Sequence, residues 1–219
     1  MRAASRLGWV AVVVVGIGLI ASSTGCSSSG RVKESEKAVE GFQNMQKGIT
    51  KAQQQVDATL ASLSQLQAGG DLQKSYKSFS SQKKDLQKTA EEAKKRSASM
   101  RENMEEYVQK WEKEMGDMND PSVRATLESR RQAVRTNFQK VRDAGTAARD
   151  AYQPFMAQLD EIERALAVDL NPATVTGMKP AFDKAQANGA TLKQKLTDIQ
   201  TQLNNISAGL SPTGTAPKS

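Results

Sequence analysis

Histidine is absent from this chain, and cysteine occurs once, as Cys26. Without histidine there is no Ser-His-Asp or Cys-His catalytic site, no His-containing zinc site and no Glu-x-x-His di-iron centre. One cysteine cannot form an internal disulfide. Aromatic residues make up 5% of the 219 residues and hydrophobic residues 37%, which is little for a compact domain with a thick core. Charged residues reach 25%, too ordinary a content to mark the chain as disordered by composition. These absences argue against an enzyme, and no cofactor or metal is expected.

What is present first is a targeting segment. Arg2 and Arg6 form a positive start, residues 7–20 are apolar, and residues 21–25 are small or polar. That order is the layout of a secretory signal peptide. The apolar run is shorter than the roughly 20 residues that span a bilayer. It ends on Ser23, Thr24, Gly25 and Cys26, which resembles the lipobox of bacterial lipoproteins, although Ser23 stands where a leucine is usual. The resemblance implies cleavage between Gly25 and Cys26 and a lipid on the Cys26 thiol. Several acyl chains on one residue anchor stably where one is marginal. Residues 1–25 are therefore expected to be a signal peptide, and 26–33 a lipidated cysteine and flexible tether containing Ser27, Ser28, Ser29 and Gly30. Ser27 does not resemble an inner-membrane retention signal, so the expected address is the outer membrane, facing the periplasm.

The full chain carries a net charge of +7, and +5 once Arg2 and Arg6 are removed. A mild excess spread along the chain suits an anionic surface but is no nucleic-acid footprint.

The rest, 34–210, reads as one helical domain, with 211–219 a Pro/Gly/Ser/Thr-rich disordered tail. Apolar residues recur at alternating steps of three and four. A first helix over 34–68 has the seam Ala38, Phe42, Met45, Ile49, Ala52, Val56, Thr59, Leu63, Leu66. Gly69 and Gly70 end it, and Asp71 can cap the next. A second over 71–118 has Leu72, Tyr76, Phe79, Lys83, Leu86, Ala90, Ala93, Ser97, Met100, Met104, Tyr107 and Trp111. A turn at Asn119 and Asp120 precedes Pro121, a first-turn proline. A third over 121–169 has Leu127, Arg131, Val134, Phe138, Val141, Gly145, Ala148, Tyr152, Phe155, Leu159, Ile162 and Leu166. A fourth over 172–209 follows a second cap-then-proline signal at Asn171 and Pro172; its seam runs Val175, Met178, Phe182, Ala185, Gly189, Leu192, Leu196, Ile199, Leu203, Ile206, Leu210. Every aromatic residue after Cys26 falls on a seam. Pro154 and Pro180 lie inside helical pattern and are expected to kink or break it. Short turns make neighbours antiparallel, which predicts an all-α, elongated, coiled-coil-like bundle of four long helices.

Helices 2 and 3 are the longest, and at 1.5 Å per residue they outreach the others by roughly 15–20 Å. The excess is expected near the turn at 119–120, so 106–131 would project as a bare hairpin at the lipid end. Trp111, Met115, Met118 and Leu127 lie there with Lys110, Lys113, Arg124 and Arg130. Aromatic, apolar and cationic side chains together suit a membrane interface or a partner, and Trp111, Met115, Met118 and Arg124 are the candidate contacts. A tip that packs only on itself is the plainer alternative.

Several short motifs share an order with a known family: Gly70, Asp71 and Leu72 with Tyr76; Trp111 and Glu112 with Glu114 and Met115 before Asn119; Arg130 and Arg131; Pro154 and Phe155 ahead of Leu170 and Asn171. Over 69–175 the chain resembles the domain of unknown function 2959 family of bacterial lipoproteins. It departs from that pattern at Val168 and Asp169, where the family has a Lys-His pair. The resemblance implies a helical fold and an envelope address, and no mechanism.

No seam position is acidic, so no inward carboxylate set for a metal is expected. Glu102, Glu105 and Glu106 read as a solvated face. Lys83 and Arg131 are the only charged seam residues; Arg131 is placed to stack on Tyr107 or Trp111 or to snorkel. The basic runs Lys83-Lys84 and Lys94-Lys95-Arg96 could bind anions, but interspersed Asp85, Glu91 and Glu92 make them read as plain helix surface. Ser80 and Lys83 share the Ser-x-x-Lys spacing without its motif context. Small residues at Ala90, Ala93 and Ser97 face a second set at Ala144, Gly145, Ala147 and Ala148, which predicts a close-packed waist between helices 2 and 3; a void large enough for an apolar ligand is the alternative.

The sequence therefore points to a non-catalytic, lipid-anchored structural or protein-interaction module of the cell envelope, with an unknown envelope protein or a second copy as partner. The alternative is a periplasmic carrier that binds a lipid or other apolar ligand between its helices.

Overall fold

A computed structural model describes the backbone of residues 28–210 and the side chains of 36–207. The expected signal peptide over 1–25, Gly25, Cys26 and the tail over 211–219 lie outside the described residues. Five helices follow in order: α1 (Ser28–Gln67), α2 (Leu72–Gly116), α3 (Pro121–Val168), α4 (Pro172–Gly177) and α5 (Lys179–Leu210). No strand occurs among the described residues. The fold is the expected all-α bundle of long helices, with α2 and α3 the longest at 45 and 48 residues.

Two boundaries differ from expectation. Helix α1 begins at Ser28 rather than 34, so helix occupies most of the span expected as tether. The fourth helix is divided at Met178, giving α4 and α5. Proline causes that division. Pro180 has no N–H to give, and at the second residue of α5 it needs none. The backbone N–H groups of Ala181 and Phe182 then donate to the Met178 carbonyl at 2.8 and 3.1 Å. Pro154, by contrast, lies within a continuous α3, and its carbonyl accepts from Asn188 Nδ2 of α5 at 3.3 Å.

The turns are built as their residues dictate. Gly69 and Gly70 hold φ of 83° and 86°, a region closed to most side chains. Asp71 accepts from the Lys74 backbone N–H at 3.0 Å to start α2. Asp120 accepts from Ser122 N at 2.8 Å, ahead of α3, and Pro121 opens that helix. Asn171 caps α4 through Thr174 N at 2.9 Å.

All nine expected seam residues of α1 are buried, and so are most on α3 and α5. Phe42, Phe79, Phe155 and Phe182 are fully enclosed, each contributing roughly 2–3 kcal/mol of hydrophobic stabilisation. Tyr76, Tyr107, Tyr152 and Trp111 are half-buried. The core also takes Ser62, Thr89, Val108 and Met156, which the heptad seams omit.

The helices do not pack evenly. α1 lies close on α2, α3 on α5, and α1 on α5, whereas α2 and α3 approach each other over few residues. The expected waist between α2 and α3 is therefore corrected. Ser97 is exposed, and a Cβ built on Gly145 would meet nothing within 4 Å. Close approach occurs elsewhere: a Cβ on Gly189 of α5 would lie 2.7 Å from Leu60 Cδ2 of α1. Small residues permit close packing only where the large side chains on either side allow the backbones together.

Candidate functional site

Two polar clusters join α2 to α3, one towards each end of the pair. The first is built on Lys83, which sequence marks as a charged seam residue. Only 8% of its surface is exposed. Its Nζ pairs with Asp160 Oδ1 at 2.6 Å and also with Glu163. Ser80 Oγ donates to Glu163 Oε1 at 2.5 Å. Burial pulls the Lys83 pKa down, but the hydrogen bonds and charges of Asp160 and Glu163 outweigh it and hold the group above its ordinary value. Lys83 is thus kept as an ammonium and cannot take a proton from Ser80. The Ser-x-x-Lys spacing brings both side chains to one carboxylate, not to each other as nucleophile and base.

Asp160 and Glu163 are the residues that sequence reasoning missed. Each stands one position after a seam residue, Leu159 and Ile162, and reaches inward from the flank of α3. The signal for them was Lys83 itself, because a buried cation needs a counter-charge on a facing helix.

The second cluster is the tip. Lys51 of α1 pairs with Glu92 of α2, and Gly41 faces Met100 and Asn103. In that antiparallel register the start of α1 runs beside the last turns of α2, so the bare region is shorter than the expected 106–131. Val108 is buried, and the exposed stretch runs from 116 to 133, with only Met118, Leu127 and Arg131 half-buried within it. Trp111 and Met115 are half-buried, and Arg124 is exposed. Val123 beside it leaves 45% of its surface exposed.

Trp111 meets Tyr107 edge-on, with ring centroids 5.5 Å apart and planes at 72°. The cation over Trp111 is Arg130, 6.0 Å from the ring centroid, and not Arg131. Arg131 instead binds Glu112 across the hairpin and Glu128 on its own helix, the latter at 2.6 Å. Arg135 adds a 3.4 Å contact to Glu112. Burial raises the Tyr107 pKa, and Arg130 partly opposes it. Of the four candidate contacts, Trp111 is committed to Tyr107 and Arg130, while Met115, Met118 and Arg124 continue along the tip.

Among the described residues, no helix is long and apolar enough to cross a membrane. No group of three or more Asp, Glu, Cys or His among them is placed to hold a metal ion.

A family model, described as a protein of unknown function (DUF2959), matches residues 28–208. The chain belongs to the DUF2959 family. The match takes in all four long helices, well beyond the 69–175 stretch whose motifs carry the resemblance. No curated protein and no solved structure shows significant similarity to this DUF2959 chain. At the end of α3, Val168 is exposed and Asp169 organises the next turn. Asp169 accepts from Asn171 Nδ2 at 2.6 Å and from Thr174 Oγ1 at 2.8 Å.

Proposed function

We propose that this DUF2959 protein is a lipid-anchored structural or interaction module of the cell envelope, held through Cys26 at the outer membrane and facing the periplasm, without catalytic activity of its own. The hairpin tip is its contact region, meeting headgroups or an envelope protein through Trp111, Met115, Met118 and Arg124. One observation supports this reading above the others. Helix α1 starts at Ser28, two residues after Cys26, and its start lies at the same end of the bundle as the α2–α3 turn. A lipid on Cys26 would bring Val123, the exposed Arg124 and the half-buried methionines close to the membrane surface.

The experiment is fractionation of cell envelopes, with pull-down, for the intact protein, Cys26→Ala, and Trp111→Ser/Met115→Ser. The proposal expects the first to sediment with membranes and the second to be released. The tip variant stays anchored but loses its co-purifying partner or its lipid cross-links. If the first two fractionate alike as soluble protein, the anchoring is wrong. If the tip variant keeps every contact, the tip is only structural.

The carrier reading has one observation on its side, the open space beside Gly145 of α3. Native mass spectrometry separates it: a co-purifying lipid favours a carrier, a protein partner or second copy the interaction module.

A further inference from the structure

The basic run Lys94-Lys95-Arg96 reads in sequence as plain helix surface, but the helix divides it. Lys94 points to Glu91 on its own helix, 4.0 Å away. Lys95 and Arg96 turn instead towards α1, where they line a groove of about 350 Å³ between the two helices. From α2 the groove also takes Ser99 and Asn103, and from α1 it takes Asn44. Gly41 forms its wall without a side chain, and the buried Met100 its floor.

The groove exists because α1 lies close on α2 along a row of glycines. A Cβ on Gly41 would stand 3.4 Å from Asn103 Nδ2, and one on Gly48 would stand 2.9 Å from Arg96 Cδ. Gly48 thus lets the Arg96 stem lie flat across the α1 backbone. The neighbouring cations show how this surface ordinarily works. Lys51 binds Glu92 at 2.7 Å, and Lys193 binds Asp57 at 2.6 Å. Among the described residues Arg96 makes no such bond: it faces Glu92 only through space, and Lys51 holds that carboxylate. Lys95 forms no ion pair, and Asn44, Ser99 and Asn103 make no side-chain hydrogen bond among the described residues. Lys37 adds a further positive charge at the rim, and Glu40 is the single acid of the groove.

We propose that this α1–α2 groove binds a phosphate-bearing anion. Residues bearing a guanidinium, an ammonium, two amides and a hydroxyl line one small concavity, and these groups suit a tetrahedral oxyanion that accepts several hydrogen bonds at once. The planar fork of Arg96 supplies two of them and Lys95 the point charge. The phosphate belongs either to a free small anion or to the headgroup of an acidic phospholipid. The groove lies well away from the turn at 117–120, so it is distinct from the tip contact.

The test is NMR titration of the purified full-length chain, following the side-chain amides of Asn44 and Asn103. The probes are inorganic phosphate, glycerol phosphate and short-chain phosphatidylglycerol. Saturable shifts confined to these groups are expected. Lys95→Gln/Arg96→Gln weakens binding at least about tenfold, the loss of roughly 1.4 kcal/mol in affinity. Gly41→Leu fills the groove without changing charge and abolishes binding. Lys84→Gln/Lys88→Gln removes the same charge elsewhere on α2 and leaves binding intact. Equal affinity for all three probes assigns a free phosphate, and binding of phosphatidylglycerol alone assigns a lipid headgroup. Absence of saturable shifts with every probe, or equal weakening by the two double variants, overturns the proposal.

Discussion

Lys83 of α2 and Asp160 of α3 meet with Nζ and Oδ1 2.6 Å apart, across a pair of helices that otherwise touch over few residues. With Glu163 this contact forms one of the two polar clusters that join α2 to α3. The cost of breaking it depends on which charge is removed. Asp160→Asn with Glu163→Gln leaves a buried ammonium without a counter-charge and should cost about 2 kcal/mol, less than a fully buried pair because both acids are partly exposed. Lys83→Met replaces the charge with apolar volume and strands two carboxylates that are 44% and 23% exposed and so can be solvated; it should cost less, about 1 kcal/mol. Urea unfolding followed by circular dichroism distinguishes them, and equal losses would show that charge is not what the cluster contributes.

Alkali should loosen the same region. Lys83 titrates above its ordinary value when folded. Tyr152 is pushed up to about 12 by burial, with help from the negative charges of Glu91 and Asp160. Both groups bind their protons more tightly in the folded chain. Their contribution is therefore complete below their ordinary values near about 10 and is lost as pH rises through the folded values. Melting temperatures measured at rising pH should fall above about 10 for the natural chain and fall less for Lys83→Met/Tyr152→Phe. Parallel curves for the two would reject this assignment.

Glycine substitutions should have opposite signs at two positions. Gly145→Ala meets open space and should stabilise by about 0.5–1 kcal/mol through helix propensity and lost chain entropy. Gly189→Val drives into Leu60 and should destabilise by about 1–3 kcal/mol through overpacking. Destabilisation by Gly145→Ala would restore the close waist that the small residues suggest.

Acid should fray the tip before the body. Asp120 is held below its ordinary pKa by the hydroxyl and N–H of Ser122 and the N–H of Val123. Its cap contributes fully above the ordinary value near about 3.9 and is lost as pH falls through the lower folded value. Amide exchange in the first turn of α3 should rise over that range while that of Leu159 and Ile162 stays slow. Asp120→Asn, which keeps an acceptor, should remove the pH dependence. Uniform loss of protection along α3 would contradict a local cap.

The heptad pattern made most of the fold readable in advance. A buried face on a long helix must repeat every three or four residues, so Phe42, Val56, Leu159 and Leu203 announce themselves. Caps and turns were equally legible, since Asp71, Asp120 and Asn171 act on residues two or three positions away. Tip chemistry was only partly legible. Sequence placed Arg130 in the same tip as Trp111 and left Arg131 either to stack on an aromatic ring or to snorkel; one helical step of about 100° gave the ring to Arg130 and the carboxylates to Arg131.

What the sequence determined by itself is local and periodic: the ends of α2 and α3 to within a few residues, the seams, the caps, and the membership of Lys83 in the interior. It also excluded histidine chemistry outright, since no fold can supply a residue the chain lacks. Only the tertiary structure decided which helices lie close and which stand apart. That choice set Asp160 and Glu163 around Lys83, left Gly145 facing open space, and turned Lys95 and Arg96 into a shared groove with α1. The physical reason is that spacing along one helix fixes a direction for each side chain. The distance to the next helix depends on the side chains of both, and no single stretch of sequence contains both.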